Sequence, residues 1–392
     1  MESFEFVSPT KIFFGKDGEK RIGEIIASYS FRKILFHYGK KSIKETGLYD
    51  RIVSSLKENR IEFVELGGVE ANPDVSLCRK GIALCREFQA EMILAVGGGS
   101  VIDSAKLIAN GVYYSGDPFD LSLHKALSAR ALPLGVILTN AASGSELSSS
   151  CVISSRKDRL KRGFNSDLNR PLFAIENPEL TLTLDLYTSG CGAVDIFSHS
   201  FERYFNFSER NEFSDYLAEG IMRCTLDNGR LLAENPKDIE ARKNLMLASS
   251  YSHNGITSLG KRAKMPIHQL EHELSGLYPN IAHGAGLAAL IPSWIEICAE
   301  KDRKKFERFY DEVLRIDDAL AFSERTERAS RMMKDFAHLF QIPTALKEYS
   351  VSESDIMKMV DSLTAHGTRI FDSRIPLDAS LAERIYRNAW ED

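Results

Sequence analysis

Up to about residue 180, short apolar runs alternate with segments in which apolar positions recur every three or four residues. The runs at 34–38, 61–65, 92–96, 134–138, 151–154 and 172–175 predict strands, and the segments at 48–58, 74–88 and 100–110 predict helices. Apolar strands separated by helices argue for a parallel, doubly wound sheet. From about residue 186 the β-branched runs give way to long amphipathic periodicity. This predicts helices at 192–205, 211–233, 238–252, 286–300, 302–315, 325–340, 353–363 and 379–388. Asn177-Pro178-Glu179 is a turn signal just before the change. The expected organisation is an α/β domain over 1–185 and an all-helical domain over 186–392.

Composition narrows the class of partner. With 43% apolar residues the chain supports a sizeable core, and a formal net charge of −5 gives no electrostatic reason to expect nucleic acid or an anionic membrane. The run Glu300-Lys301-Asp302-Arg303-Lys304-Lys305 mixes signs and reads as a solvated helix face. Six scattered cysteines with no CxxC pair read as reduced thiols. The segment Met1–Phe6 has neither a basic nor an apolar leader region, and no stretch approaches the ~20 apolar residues that span a bilayer. A cytoplasmic protein is expected.

Four of the nine histidines fall in a pattern that suggests one metal site. Asp195-Ile196-Phe197-Ser198-His199 puts a carboxylate and an imidazole at i and i+4, on one helix face. His268-Gln269-Leu270-Glu271-His272 follows, and then His283. Imidazoles with one carboxylate suit Zn²⁺ or Fe²⁺ better than Mg²⁺ or Ca²⁺. On spacing alone the second cluster offers three histidines for two places. It also satisfies the H-x-x-E-H pattern of inverted zinc peptidases, in which Glu271 would be the general base. A serine hydrolase is not supported, since Gly144-Ser145-Glu146 lacks the G-x-S-x-G elbow.

The α/β half carries a glycine turn, Gly97-Gly98-Gly99-Ser100, between a strand and a helix. It reads either as a pyrophosphate cradle or as a tight βα turn, since it matches neither G-x-G-x-x-G nor a Walker A. The strand at 34–38 ends in Gly39-Lys40-Lys41-Ser42, without the acid that NAD sites use for the ribose 2′-hydroxyl. Two ammonium groups there would attract a 2′-phosphate, so NADP(H) is expected in preference to NAD(H).

Further motifs join these: Gly67-Gly68-Val69 with Asn72-Pro73, then Val101-Ile102-Asp103-Ser104-Ala105-Lys106 after the glycines. Ser143-Gly144-Ser145-Glu146, Phe173-Ala174-Ile175, His272-Glu273-Leu274-Ser275 and His283-Gly284-Ala285-Gly286 follow in order. Over essentially its whole length the chain resembles the iron-containing (group III) alcohol dehydrogenases, particularly their NADP-dependent butanol dehydrogenase-like branch. The resemblance implies a dinucleotide-binding Rossmann-like domain and an all-helical metal-binding domain. It implies metal ligands at Asp195, His199, His268 and His283, with His272 beside nicotinamide and substrate. It also implies pyrophosphate binding by Gly98, Gly99 and Ser100, with cofactor contacts near Asp103, Thr139, Ser143 and Lys161. The expected enzyme is a homodimer that transfers hydride between NADP(H) and a small primary alcohol or aldehyde, using one Fe²⁺ or Zn²⁺. A polyol dehydrogenase of the glycerol type is the nearer alternative, and a nucleotide sensor or structural metalloprotein the more distant one. Two departures stand out. The spacing from His272 to His283 is one residue longer than expected, and the usual Thr-x-x-x-Thr-Gly-Ser-Glu has Ser143 at its second hydroxyl.

Overall fold

The apolar runs of the first half build one sheet from β1 (Lys11–Phe14), β2 (Lys33–Tyr38), β3 (Glu62–Leu66), β4 (Met92–Gly97), β5 (Leu134–Leu138) and β8 (Phe173–Glu176). The computed structural model describes residues 1–207, 210–262 and 264–391. Strand order is β1-β8-β5-β4-β2-β3, with every pairing parallel. Strands β2, β4 and β5 are buried almost throughout, which is why they read as continuous apolar runs. The helices of this unit are α1 (Ile22–Ser28), α2 (Ser42–Glu45), α3 (Leu48–Glu58), α4 (Val75–Phe88), α5 (Gly99–Gly111) and α6 (Phe119–Ser122). From β2 the sheet grows one way to β3, and from β4 the other way to β5 and β8. Sheets of this type bind ligands at that reversal, outside the carboxyl ends of the strands.

One expected sheet member lies elsewhere. The run at 151–154 belongs to β6 (Ser150–Ser155), which pairs antiparallel with β7 (Leu160–Asn165) in a separate two-stranded ribbon. Strand β1 escapes the apolar pattern because it is a short, half-exposed edge.

The second half is helical: α7 (Leu186–Tyr204), α8 (Glu212–Glu234), α9 (Ile239–His253), α10 (Pro266–Leu277) and α11 (His283–Cys298) come first. Then follow α12 (Arg303–Phe309), α13 (Phe322–His338), α14 (Ile356–Thr364) and α15 (Ala379–Glu391). The chain separates into two compact units, Val7–Leu184 and Asp185–Asp392, the latter joined by Met1–Phe6. Helix α11 is buried on nearly every side, and Phe197, Phe201, Leu270, Leu290 and Phe309 pack in the same core. Helix α10 lies outside the expected helices. Its buried residues include His268, Glu271, His272 and Glu273, so polar groups occupy core positions and the apolar period is broken. Among the described residues, no helix is long and apolar enough to cross a membrane.

Candidate functional site

In the helical unit, three helices bring the sequence-expected ligands to one point. Asp185 caps α7 by accepting the Thr188 amide at 2.6 Å, and the helix presents Asp195 and His199 one turn apart. Helix α10 supplies His268, and α11 begins at His283. Asp195 Oδ1 is the hub. It lies 3.4 Å from His199 Nδ1, 3.7 Å from His268 Nε2 and 3.7 Å from His283 Nε2. Asp195, His199 and His268 are buried, and their ligand atoms lie within 4.8 Å of one another. None of Asp195 Oδ1, His199 Nδ1 and His268 Nε2 takes part in a hydrogen bond among the described residues. Unsatisfied buried acceptors are costly, and three facing one point fit a cation. A set of imidazoles plus one carboxylate matches the chemistry of Fe²⁺ or Zn²⁺.

Two further carboxylates orient the imidazoles. Glu202, on α7, holds His268 Nδ1 through Oε2, while its Oε1 accepts the Ile267 amide at 2.6 Å and the His268 amide at 3.3 Å. Glu271, on α10, lies 2.5 Å from His283 Nδ1 and also accepts the Ser275 hydroxyl. With each Nδ1 taken up, each Nε2 is left facing Asp195. The close approach of α11 depends on glycine. A Cβ on Gly284 would sit 2.1 Å from the Cys191 carbonyl oxygen of α7, and one on Gly286 would sit 3.0 Å from Glu271 Cγ. The extra residue before His283 does not carry the ring away from Asp195.

Electrostatics divide the histidines. Burial pushes His199 well below the ordinary imidazole range, helped by His253, His268 and Arg203, so its ring is neutral and able to donate a lone pair. Burial acts the same way on His268, but Glu202 and Asp195 outweigh it and raise the group to about 9. The negative field that favours a proton there also favours a metal cation. His272 stands aside from the hub, its ring 6.5 Å from that of His268 and 6.0 Å from that of His283.

Sequence reading did not single out Glu202 or His253, whose ring lies edge-on 4.0 Å from that of His199. A carboxylate three residues after His199 was the available signal for Glu202. The peptidase reading of His268-x-x-Glu271-His272 is overturned. Glu271 is fully buried with its carboxylate on His283 and Ser275, and His268 converges with Asp195 and His199 instead.

In the α/β unit, a cavity of about 310 Å³ opens at the carboxyl ends of β2 and β4, where the strand order reverses. Gly39, Lys40 and Ser42 line it after β2, Gly97 and Gly98 after β4, and Thr139 after β5. Glu70, from the loop after β3, lines it too. Gly99 and Ser100 form the first turn of α5, whose leading amides have no partner within the helix. A Cβ on Gly99 would stand 2.2 Å from Ser143 Oγ, so that glycine also serves packing inside the turn. Lys41 is exposed and outside the lining. Asp103 and Lys161 do not line the cavity. The Asp103 carboxylate accepts the Ser145 hydroxyl at 2.5 Å and the Val152 amide at 2.9 Å, and Lys161 lies buried on β7.

Residues 9–178 match the family model described as iron-containing alcohol dehydrogenase, and 190–386 that of the family's C-terminal region. The chain belongs to the iron-containing alcohol dehydrogenase family. It is 39% identical to NADH-dependent butanol dehydrogenase A of Clostridium acetobutylicum, covering 100% of both chains. It is 30% identical to the NADPH-dependent aldehyde reductase YqhD of Escherichia coli, over 99% of this chain and 100% of that one. The crystal structure of NADH-dependent butanol dehydrogenase A from Thermotoga maritima superposes with a TM-score of 0.95 at 36% identity, covering 100% of this chain and 99% of that one. The chain is therefore an alcohol/aldehyde oxidoreductase of the butanol dehydrogenase-like kind, with the α/β and helical domains of that family. A nicotinamide cofactor and a metal site are typical of the family.

Proposed function

We propose that this enzyme interconverts small primary alcohols and aldehydes, with butanol-sized substrates in its range and a single divalent ion held by Asp195, His199, His268 and His283. The observation that carries this reading is the convergence of His199 Nδ1 and His268 Nε2, buried and without a hydrogen bond among the described residues, on Asp195 Oδ1, with His283 Nε2 3.7 Å from the same oxygen. When bound, the ion supplies Lewis-acid polarisation of a substrate oxygen and the nicotinamide supplies or accepts hydride. The chain's own residues prepare the site. Glu202 and Glu271 fix the ring orientations of His268 and His283. His272, beside the ligands but not on Asp195, is suited to relay the proton that accompanies hydride transfer.

The dinucleotide is assigned to the cavity bounded by Gly39, Gly97, Gly98 and Thr139, with Gly99, Ser100 and Ser143 in the adjoining turn. Preference for NADP(H) is supported by Gly39, where an acid would otherwise receive the ribose, and by the ammonium group of Lys40, which lines the cavity. The relatives' names divide between NADH and NADPH. A homodimer follows the family resemblance, and a cytoplasmic location fits six free thiols. The test is turnover of a panel of short aldehydes, alcohols and polyols with each dinucleotide, with metal content measured on the same samples. Metal-replete protein that turns over no member of the panel would overturn the reading, and NADH efficiency equal to that of NADPH would remove the proposed preference.

A further inference from the structure

We propose that Glu70 is a specificity-determining residue for the dinucleotide: by pairing Lys40 it weakens the site's pull on a 2′-phosphate and narrows the preference for NADP(H), while it offers a carboxylate to an unphosphorylated ribose. This rests on the reading of the cavity as the dinucleotide site. The Gly68 amide donates to the Gly39 carbonyl at 2.8 Å and the Val69 amide to the Tyr38 carbonyl at 3.4 Å. The chain after β3 therefore keeps pairing with the end of β2 and carries Glu70 to Lys40. Glu70 Oε1 lies 2.6 Å from Lys40 Nζ, and Oε2 lies 2.5 Å from the Arg156 guanidinium.

The loop that carries Glu70 is tied down on both sides. Gly68 and Asn72 adopt left-handed backbone, and the Pro73 carbonyl accepts the Ser154 amide at 2.9 Å. Asp74 caps α4 through the Ser76 amide and accepts the Arg156 amide at 2.9 Å, which fixes the base of the residue that grips Glu70. Hydrogen bonds from Lys40 and Arg156 hold the Glu70 carboxyl down at about 2, so it is ionised throughout the working range.

The chemistry of discrimination follows from charge. An acid that receives the ribose 2′-hydroxyl is the usual mark of an NAD site, ordinarily at the end of the strand where this chain has Gly39. Here the acid arrives from the next loop. A 2′-phosphate brings one to two negative charges and only acceptor oxygens, so it meets repulsion from Glu70 and finds Lys40 already paired. A 2′-hydroxyl can donate to the same carboxylate. Removing the acid frees Lys40 to face the phosphate.

The experiment is calorimetric binding of ADP-ribose and of 2′-phospho-ADP-ribose to the full-length protein at fixed ionic strength, in wild type, Glu70→Gln, Lys40→Met and the double variant. Glu70→Gln is expected to shift the ratio of the two Kd values toward the phosphorylated ligand by roughly tenfold. The double variant is expected to lose the part of that gain due to the freed ammonium and to keep the part due to relieved repulsion. If both ligands bind and the Glu70→Gln ratio equals that of wild type, Glu70 is not the discriminator and the cavity assignment stands. If neither ligand binds wild type, the cavity assignment itself fails and takes the inference with it.

Discussion

Glu202 and His268 join the end of one helix to the start of another. One carboxylate oxygen takes His268 Nδ1 and the other takes the first amides of α10, so ring orientation and helix docking share a single side chain. Glu202→Ala is expected to weaken metal binding by about 10–100-fold. It should also destabilise the metal-free protein by roughly 1–2 kcal/mol through loss of the helix cap. Glu202→Gln, which keeps an acceptor, should lose less on both counts. Chelator competition and thermal melts measure the two effects separately; wild-type metal affinity in the Ala variant would refute the orienting role.

His199→Ala and His268→Ala are expected to abolish both bound metal and turnover, because each removes a ligand atom that faces Asp195. Elemental analysis of the purified variants checks this. A full complement of metal in either would exclude that residue as a ligand.

His272→Ala is expected to retain its metal while losing ~10²–10⁴-fold in kcat, the range for a lost proton relay. The pH–rate profile should lose one limb at the same time. Loss of metal here, together with retention in His283→Ala, would mean that the two histidines exchange roles.

Gly284→Ala is expected to push α11 off α7, since the added carbon would lie 2.1 Å from the Cys191 carbonyl oxygen. The cost is about 1–3 kcal/mol of stability, accompanied by weaker metal binding because His283 is the neighbouring residue. Urea melts and metal titration test it; a variant matching wild type in both would show that the helices adjust freely.

His37 ties the sheet to α5. Its ring nitrogens meet the Leu66 carbonyl at 2.8 Å and the Ser104 hydroxyl at 2.9 Å, and burial pushes its pKa down to about 4. The unfolded chain therefore binds a proton here at a higher pH than the folded one. Stability is fully present above about 6.5 and is lost as pH falls toward 4, by on the order of 3 kcal/mol. Equilibrium unfolding from pH 7 to 4 should show a shallower loss in His37→Gln than in wild type. Identical slopes would assign the acid sensitivity to other groups.

What the sequence determined by itself is what local geometry controls. Continuous apolar runs mark strands buried on both faces, and all six expected runs are strands, although periodicity could not tell that the run at 151–154 leaves the sheet for a ribbon. Asp195 and His199 were legible as a pair because four residues make about one helical turn. The glycine turn was legible because it follows a strand and opens a helix. Helix α10 stayed hidden, since His268, Glu271 and His272 put polar groups where periodicity looks for apolar ones. Only the tertiary structure decided which second-cluster histidines approach Asp195, because that depends on α11 packing against α7 at Gly284. It also turned Glu271 from a candidate base into the partner of His283, and brought Glu70 to Lys40 by extending the β2–β3 pairing beyond the strands. The physical reason is common to these cases. A residue's type sets what it can bond to, but its partner is chosen by the packing of segments far apart in sequence, and no local pattern carries that choice.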